Sequence, residues 1–121
     1  MHELSIAVSL VEVAAEQAAA LGDVRVEALH VRLGALSGVV KESLLFCFDA
    51  AARGTALEGA RLEIEEVPVA ALCPRCGEER ELPGAWSLQC PVCETPLPRL
   101  SRGRELELTS LEVEEHAAPH R

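Results

Sequence analysis

Two groups of side chains in this sequence could bind a metal ion, and the larger is a set of four cysteines. Cys73-Pro-Arg-Cys76 and Cys90-Pro-Val-Cys93 follow the pattern C-x2-C-x13-C-x2-C. Each CxxC pair suits a tight turn, and the loop between the pairs lets four thiolates close a tetrahedron around zinc. The pattern implies no open coordination position. It therefore predicts a structural zinc that folds a segment too small to fold by burial alone.

Other uses of paired cysteines fit this chain less well. A thioredoxin-like redox site needs a CxxC at a helix start, and neither pair precedes a helical pattern. Two disulfides would suit a secreted protein. The N-terminus has no basic segment, however, and Glu12 and Glu16 interrupt its apolar run, unlike a signal peptide. We therefore expect a cytoplasmic protein with reduced cysteines.

The second group lies at the N-terminus. His2 places three nitrogens in series, namely the Met1 amine, the His2 amide and the His2 imidazole. A planar set of nitrogen ligands suits Ni(II) or Cu(II). The amide or carboxylate of Glu3, or a side chain of a partner, could fill the fourth position. The alternative is an exposed histidine with no role, but a helical pattern begins at once and would hold this terminus in place.

Charge narrows the choice of partners. The chain has 20 acidic and 11 basic side chains, a net charge of -9, so it repels phosphate backbones and anionic lipid. No stretch is long and apolar enough to span a bilayer. In the segment that carries the paired cysteines, residues 70–100 (the cysteine segment), Arg75, Arg80 and Arg99 are offset by glutamates. Trp86 is the one aromatic residue there that could stack a base. We expect neither nucleic acid nor membrane as a partner, and a structural or protein-contact role for this segment.

Hydrophobic periodicity predicts two helices and three strands around the cysteine segment. In the first helix, Leu4, Ala7, Val8, Val11, Ala14, Ala15, Ala18 and Leu21 recur at helical spacing. The first strand changes phase between Val26 and Leu29, which suggests a bulge or strong twist. The predicted elements, in order, are a helix over 4–21, a strand over 24–33, a helix over 41–52, a strand over 62–69 and a strand over 106–113.

These elements predict an α+β fold. Two helices on one face of a three-stranded antiparallel sheet would bury the apolar faces. The cysteine segment is expected as an inserted zinc-ribbon-like domain with four cysteine ligands, placed between the last two strands. We predict an α+β domain formed by 1–69 and 101–121 that carries the N-terminal metal ligands, and an inserted zinc-binding domain at 70–100.

Other residues that could bind a metal have simpler interpretations. Cys47 lies in mid-helix and is expected as a small core or subsurface residue. His30 is expected as an exposed strand residue, and His116 and His120 lie in a polar tail. Glu42 is expected as an acid near the start of the second helix. It could also approach the N-terminal metal site.

Segments along nearly the whole chain carry a family resemblance: MHELS, GALSGV, ESLLFCFD, GTALEGARLEIEEVP, the paired CxxC motifs and GRELELTSLEVEE. With these motifs the chain resembles the HypA/HybF family of hydrogenase nickel-incorporation proteins. The cysteine pairs alone are common, but their combination with an initial Met-His-Glu is highly specific.

The resemblance implies a metallochaperone, not an enzyme. Such proteins deliver Ni(II) to the large-subunit precursor of [NiFe]-hydrogenase together with the GTPase HypB, and in some bacteria they also serve urease. The family's nickel site corresponds to Met1, His2 and Glu3 in this sequence. The family's structural zinc site corresponds to Cys73, Cys76, Cys90 and Cys93.

The chain departs from the family pattern in two places. Glu94 follows Cys93 where many relatives have glycine, and the histidines that tune zinc geometry to pH in some relatives are missing here. We therefore do not carry over pH sensing. The competing hypotheses are a zinc-ribbon adaptor for protein or RNA without metal delivery, and a small zinc enzyme, for which the sequence offers no three-ligand motif. A homodimer through edge strands or an exchanged helix is left open.

Overall fold

The computed structural model describes residues 2–22, 24–84 and 86–115. The predicted Met1 ligand and the tail histidines His116 and His120 lie outside these residues. The predicted α+β fold class, with its two helices and three-stranded sheet, is confirmed. Two further short strands lie in the cysteine segment. The elements are α1 (Glu3–Ala20), β1 (Val24–Gly34), α2 (Lys41–Ala52), β2 (Arg61–Val67), β3 (Ala70–Cys73), β4 (Glu78–Glu81) and β5 (Leu106–Glu115).

Helix α1 has the predicted length but buries a different face. Its buried residues recur every three or four positions and are mostly small: Glu3, Ala7, Val11, Ala14 and Ala18. Leu4, Val8 and Leu21 were expected in the core, but they are exposed, Leu4 by 48%. The small side chains form the buried stripe that shares one core with Leu44 and Phe48 of α2. Small residues allow helices to approach closely, so alanines rather than leucines determine the buried face. In the part of the chain that the structure describes, neither helix is long and apolar enough to cross a membrane.

Strand β1 is central in the three-stranded sheet, whose order is β2-β1-β5. Strands β1 and β5 run antiparallel. Arg25 Nη1 lies 3.8 Å from Glu114 Oε1, and at the other end Arg32 Nη1 lies 3.6 Å from Glu107 Oε1. The phase change in β1 is also present, because the adjacent residues Ala28 and Leu29 are both fully buried.

Strands β1 and β2 run parallel, so the sheet is mixed rather than wholly antiparallel. Residue numbers rise together along this pair. Arg32 Nε lies 3.9 Å from Glu65 Oε1, and the Ala35 N–H donates to the Val67 carbonyl at 2.9 Å. The prediction was wrong on this point because α2 connects the two strands, and a strand–helix–strand crossover in one sheet makes the strands parallel.

The chain divides into two compact units. The first unit is Met1–Val31, Val39–Ile64 and Leu108–Arg121, and the second is Arg32–Gly38 and Glu65–Glu107. The core of the first unit joins both helices to the apolar side chains of the sheet. The core of the second surrounds the cysteines. The predicted functional division at residues 70 and 100 stays a prediction.

A close backbone contact fixes part of the second unit. The Gly34 N–H donates to the Glu105 carbonyl at 2.7 Å, and the Leu36 N–H donates to the Gly103 carbonyl at 2.6 Å. A Cβ atom at Gly34 would lie only 2.3 Å from the carbonyl carbon and oxygen of Gly103. Glycine is therefore required at position 34 for steric reasons.

Candidate metal centres

The four predicted zinc ligands come together in the second unit. Their Sγ atoms all lie within 4.8 Å of one another. Among the described residues, this is the one group of three or more His, Cys, Asp or Glu side chains that could hold a metal ion. Cys93 Sγ lies 3.6 Å from both Cys73 Sγ and Cys76 Sγ, and Cys76 Sγ lies 3.9 Å from Cys90 Sγ. A tetrahedral zinc with Zn–S bonds of about 2.3 Å separates its sulfurs by roughly 3.8 Å. The arrangement therefore fits a metal that prefers four thiolates.

Two similar turns deliver the sulfurs. In the first knuckle, residues 73–77, the Gly77 N–H donates to the Cys73 carbonyl at 2.8 Å, and Gly77 has φ of 72°. In the second knuckle, residues 90–94, the Glu94 N–H donates to the Cys90 carbonyl at 2.8 Å, and Glu94 has φ of 65°. Glu94 thus takes the left-handed conformation that glycine takes in the first knuckle. The turn tolerates the departure from the family pattern.

The short strands β3 and β4 hold the first knuckle. They pair antiparallel from Ala70↔Glu81 to Cys73↔Glu78, so the first ligand is the last residue of β3. Cys73 and Cys90 are buried, whereas Cys76 and Cys93 are half-buried. The sequence did not predict this hairpin, because four-residue strands with mostly charged side chains in β4 lack an alternating apolar pattern.

The thiols of the two knuckles differ in acidity. A hydrogen bond from Arg80 lowers the pKa of the Cys76 thiol, but the Cys93 sulfur, burial and the other two sulfurs together raise it to about 11. For Cys93, hydrogen bonds from the hydroxyl and N–H of Thr95 lower the pKa to about 6 against the opposing effect of burial. The Thr95 hydroxyl lies 3.1 Å from Cys93 Sγ. The second knuckle therefore offers a thiolate at neutral pH before any metal arrives.

The predicted nickel ligands His2 and Glu3 lie at the start of α1. His2 is the N-cap residue, and its carbonyl accepts hydrogen bonds from the Ile6 N–H at 3.0 Å and the Ser5 hydroxyl at 3.1 Å. The two side chains differ sharply in exposure, 54% for His2 and 8% for Glu3. The His2 imidazole is accessible, while its backbone is fixed by the first turn of the helix.

The Glu3 carboxylate is anchored to the start of α2. Its Oε2 accepts the backbone N–H of Val40, the N-cap residue of α2, at 3.1 Å. This hydrogen bond holds the pKa of Glu3 below its usual value of 4.5, in spite of the opposing effect of burial. Glu3 therefore joins the start of α1 to the start of α2. Sequence reasoning missed this contact, because a main-chain donor carries no signal in the sequence.

The structure also places the remaining residues that could bind a metal. His30 is half-buried on β1 and is hydrogen-bonded to Glu112 of β5, so it is less exposed than expected. Cys47 is half-buried against the core of the first unit, as predicted. Glu42 lies in the first turn of α2, also as predicted. Its approach to a nickel ion stays untested.

The fold and the cysteine cluster define a small α+β protein with a four-cysteine centre that could hold a metal ion. A family model described as "Hydrogenase/urease nickel incorporation, metallochaperone, hypA" matches residues 1–113. The chain belongs to this HypA family, whose members are metallochaperones and not enzymes. The resemblance inferred from the sequence motifs is confirmed.

Individual relatives agree with this assignment. The chain is 54% identical over 115 residues to hydrogenase maturation factor HypA of Roseiflexus sp. (strain RS-1), covering 95% of this chain and 94% of that protein. It is 50% identical over 113 residues to the factor of the same name from Chloroflexus aurantiacus (strain ATCC 29366 / DSM 635 / J-10-fl), covering 93% and 99%.

The solution structure of the Ni metallochaperone HypA from Helicobacter pylori shares the fold. Its TM-score is 0.64 at 24% identity, and the match covers 96% of this chain and 100% of that one. A second solution structure of a HypA protein has a TM-score of 0.70, also at 24% identity, and covers 94% and 97%.

Proposed function

We propose that this protein binds Ni(II) through Met1, His2 and Glu3 and delivers it for maturation of [NiFe]-hydrogenase. The recipient is the hydrogenase large-subunit precursor, and the GTPase HypB is the working partner, both in the cytoplasm. Neither nucleic acid nor a membrane takes part. Membership of a nickel-incorporation family supports this role, as do relatives named hydrogenase maturation factor.

One observation carries the proposal: an exposed imidazole is held at a fixed helix start. The His2 side chain is 54% exposed, whereas Glu3 beside it is buried and hydrogen-bonded to Val40. The first N–H groups of a helix lack intrahelical acceptors. Backbone amides near His2 can therefore lose their protons to a metal without breaking the helix. An exposed chelate of this kind can also pass its metal on.

Glu3 serves the site mainly through its backbone in this proposal. Its carboxylate is only 8% exposed and accepts the Val40 N–H through Oε2, so we assign the amide rather than the carboxylate as the Glu3 group that binds nickel. The carboxylate then positions the terminus. Glu3→Gln keeps an acceptor for Val40 and should keep nickel binding, whereas Glu3→Ala removes the anchor and should weaken it.

The four cysteines hold a structural Zn²⁺ in this proposal. Their mutual distances and closed arrangement support the assignment. In functional terms, residues 1–69 and 101–121 form the nickel-binding domain and 70–100 the zinc-binding domain. A closed thiolate site retains its metal, so the zinc stabilises the fold while the nickel is transferred.

The test is a Ni(II) titration by calorimetry on zinc-loaded, untagged protein with a free amine at Met1. The parent is expected to bind about one nickel, because one chelate is present. His2→Ala should lose that nickel and keep its zinc. His30→Ala is the matched control, because that histidine is paired with Glu112 on the sheet and should leave nickel binding unchanged.

Two outcomes would contradict the nickel proposal. If His2→Ala binds nickel as the parent does, the N-terminal group is not the site. If one extra residue before Met1 leaves binding intact, the terminal amine is not a ligand. Delivery itself is tested by nickel transfer to the hydrogenase precursor with HypB present, in which His2→Ala should fail.

The second candidate function is a zinc-ribbon adaptor without metal delivery. Exposed apolar side chains in the second unit, including Trp86, Leu88 and Val92, favour this alternative as a protein-contact surface. An adaptor would bind one metal through sulfur and keep its function in His2→Ala. The proposed delivery role does not require a homodimer, and sedimentation with and without nickel would show whether one forms.

A further inference from the structure

A zinc ion held by four thiolates leaves a net charge of -2 in a site that is largely buried. The chain itself carries a net charge of -9, so its overall electrostatic field further disfavours a negative charge at this site. Buried anionic groups need hydrogen-bond donors or a counter-charge nearby. The question is which cationic side chain of the second unit supplies the counter-charge and the hydrogen bonds to the cysteine cluster.

The pairing of β3 with β4 places Arg80 on the cysteine face of the hairpin. Arg80 lies opposite Ala71, and Glu78 lies opposite Cys73. Residues directly opposite in an antiparallel pair share a face, and so do residues two apart on one strand. Ala71 and Cys73 are both fully buried, so this face points into the core of the unit. The Arg80 side chain is accordingly only 23% exposed.

The guanidinium of Arg80 faces sulfur from both knuckles. It interacts with Cys76 of the first knuckle and Cys90 of the second. On its outer side, Nη1 lies 3.5 Å from Glu78 Oε1. An arginine has five N–H donors in a rigid fork and does not lose its charge, so it can serve several acceptors at once.

One donor of Arg80 still lacks an acceptor. Among the residues that the structure describes, Arg80 Nε and Arg102 Nε are the buried side-chain atoms without a hydrogen-bond partner. Arg102 Nε nevertheless has an ion-pair partner, because it lies 3.0 Å from a carboxylate oxygen of Glu79. On the inside, Arg80 interacts with the sulfurs of Cys76 and Cys90. A metal-bound thiolate is a stronger acceptor than a thiol.

We propose that Arg80 is a positioning residue of the zinc centre. It donates hydrogen bonds to the metal-bound sulfurs of Cys76 and Cys90, offsets the negative charge of the site, and so slows loss of the metal. Because these sulfurs belong to different knuckles, Arg80 also ties the two turns together around the ion. This inference rests on the proposed zinc role of the four cysteines.

The experiment compares zinc release to a chromophoric chelator in the full-length, zinc-loaded chain and its variants. Arg80→Met is expected to lose zinc about 10- to 100-fold faster, the usual effect of removing an outer hydrogen bond to a metal ligand. Arg80→Lys keeps the positive charge but lacks the planar guanidinium, so its rate of zinc release should lie between those of the parent and Arg80→Met. Arg75→Met is the matched control, because Arg75 lies between two ligands in sequence but is exposed.

Cobalt substitution adds a readout of the ligand set. Arg80→Met should keep the absorption of tetrahedral thiolate-bound Co(II), which shows that all four sulfurs still bind. Should Arg80→Met fail to fold, Arg80→Lys decides the question through the same release rate.

The outcomes separate the two proposals. If the parent binds no zinc, the zinc proposal fails and this inference falls with it. If the parent binds one zinc and the Arg80 variants release it at the parent rate, Arg80 has no such role. Equal acceleration in Arg75→Met would show a general charge effect and would also overturn the inference.

Discussion

The two knuckles have the same backbone but different chemistry. In each, the N–H of the residue after the second cysteine donates to the carbonyl of the first at 2.8 Å. That residue has positive φ in both, yet it is Gly77 in one and Glu94 in the other. The pKa of the second thiol is about 11 for Cys76 and about 6 for Cys93. Backbone geometry repeats, and the side chains around it give each knuckle its own acidity.

The difference determines which of the two thiols must lose a proton when zinc binds. At neutral pH the Cys93 sulfur is already a thiolate, because Thr95 donates to it. The Cys76 thiol still holds its proton and must lose it to the metal. We therefore expect zinc binding at neutral pH to displace a proton from Cys76 but none from Cys93.

Removing a whole knuckle is expected to have the largest effect. Cys90→Ser combined with Cys93→Ser should abolish zinc binding and cost the fold on the order of 10 kcal/mol of metal-derived stability. Zinc content and thermal unfolding measure this loss. Cys47→Ser removes a thiol outside the cluster and should keep one zinc. A double variant that retains zinc at parental affinity would contradict the four-cysteine site.

The pH dependence of zinc affinity is expected to be the next largest effect. Between about pH 8 and 7, the Cys76 thiol, with its pKa of about 11, is protonated in the metal-free protein and ionised in the complex. Affinity should therefore fall at least about tenfold for each unit of pH decrease. Below about pH 6 the metal-free Cys93 also takes up a proton, so the fall should steepen.

Competition with a chelator of known affinity across this range measures the slope. Calorimetry in buffers of different ionisation enthalpy counts the released protons. A slope independent of pH would contradict the assigned difference between the knuckles.

A single hydroxyl should account for a smaller part of that difference. Thr95→Val removes the hydroxyl that lies 3.1 Å from Cys93 Sγ, so the pKa of this thiol should rise. A charge-assisted hydrogen bond contributes about 1.5–3 kcal/mol. The alkylation rate of Cys93 in metal-free protein at pH 7 should fall by about tenfold, as followed by mass spectrometry of its peptide. Thr95→Ser keeps the hydroxyl and serves as the control.

Restoring the backbone symmetry should have the smallest effect. Glu94→Gly relieves a left-handed conformation that disfavours side chains by roughly 1 kcal/mol. The zinc-loaded variant should be more stable to urea by about that amount. Gly77→Ala introduces the same strain in the first knuckle and should be less stable to a similar degree. An unstable Glu94→Gly variant would show that the glutamate side chain makes a contact that outweighs its strain.

The sequence predicted those parts of the fold that depend on strong local patterns. Helix α2 has the predicted bounds, Lys41–Ala52, because its apolar spacing is regular. The predicted buried face of α1 was wrong. Whether alanines or Leu4 become buried depends on how closely α2 approaches α1, and that distance is a tertiary feature. The parallel pairing of β1 with β2 was missed because direction depends on the crossover, a tertiary feature.

In the metal centres, too, the sequence predicted the features with a local pattern and missed those that depend on the fold. Spacing alone identified Cys73, Cys76, Cys90 and Cys93 as a group, and the structure brings their sulfurs together. The donors that surround them, Thr95 and Arg80, become visible only when the hairpin and the second knuckle are folded. The Glu3 contact with Val40 likewise depends on a distant backbone group.

The contact between Gly34 and Gly103 also has a consequence for how this sequence can vary. Every single-nucleotide missense change in a glycine codon introduces a Cβ atom. At position 34 that atom would meet a peptide group at 2.3 Å, and the neighbour is backbone, which no side-chain rearrangement can move. A library that samples all amino acids at each position should therefore retain only the parental residue at 34. Substitutions of side chains at other positions would not make room for a Cβ atom at position 34.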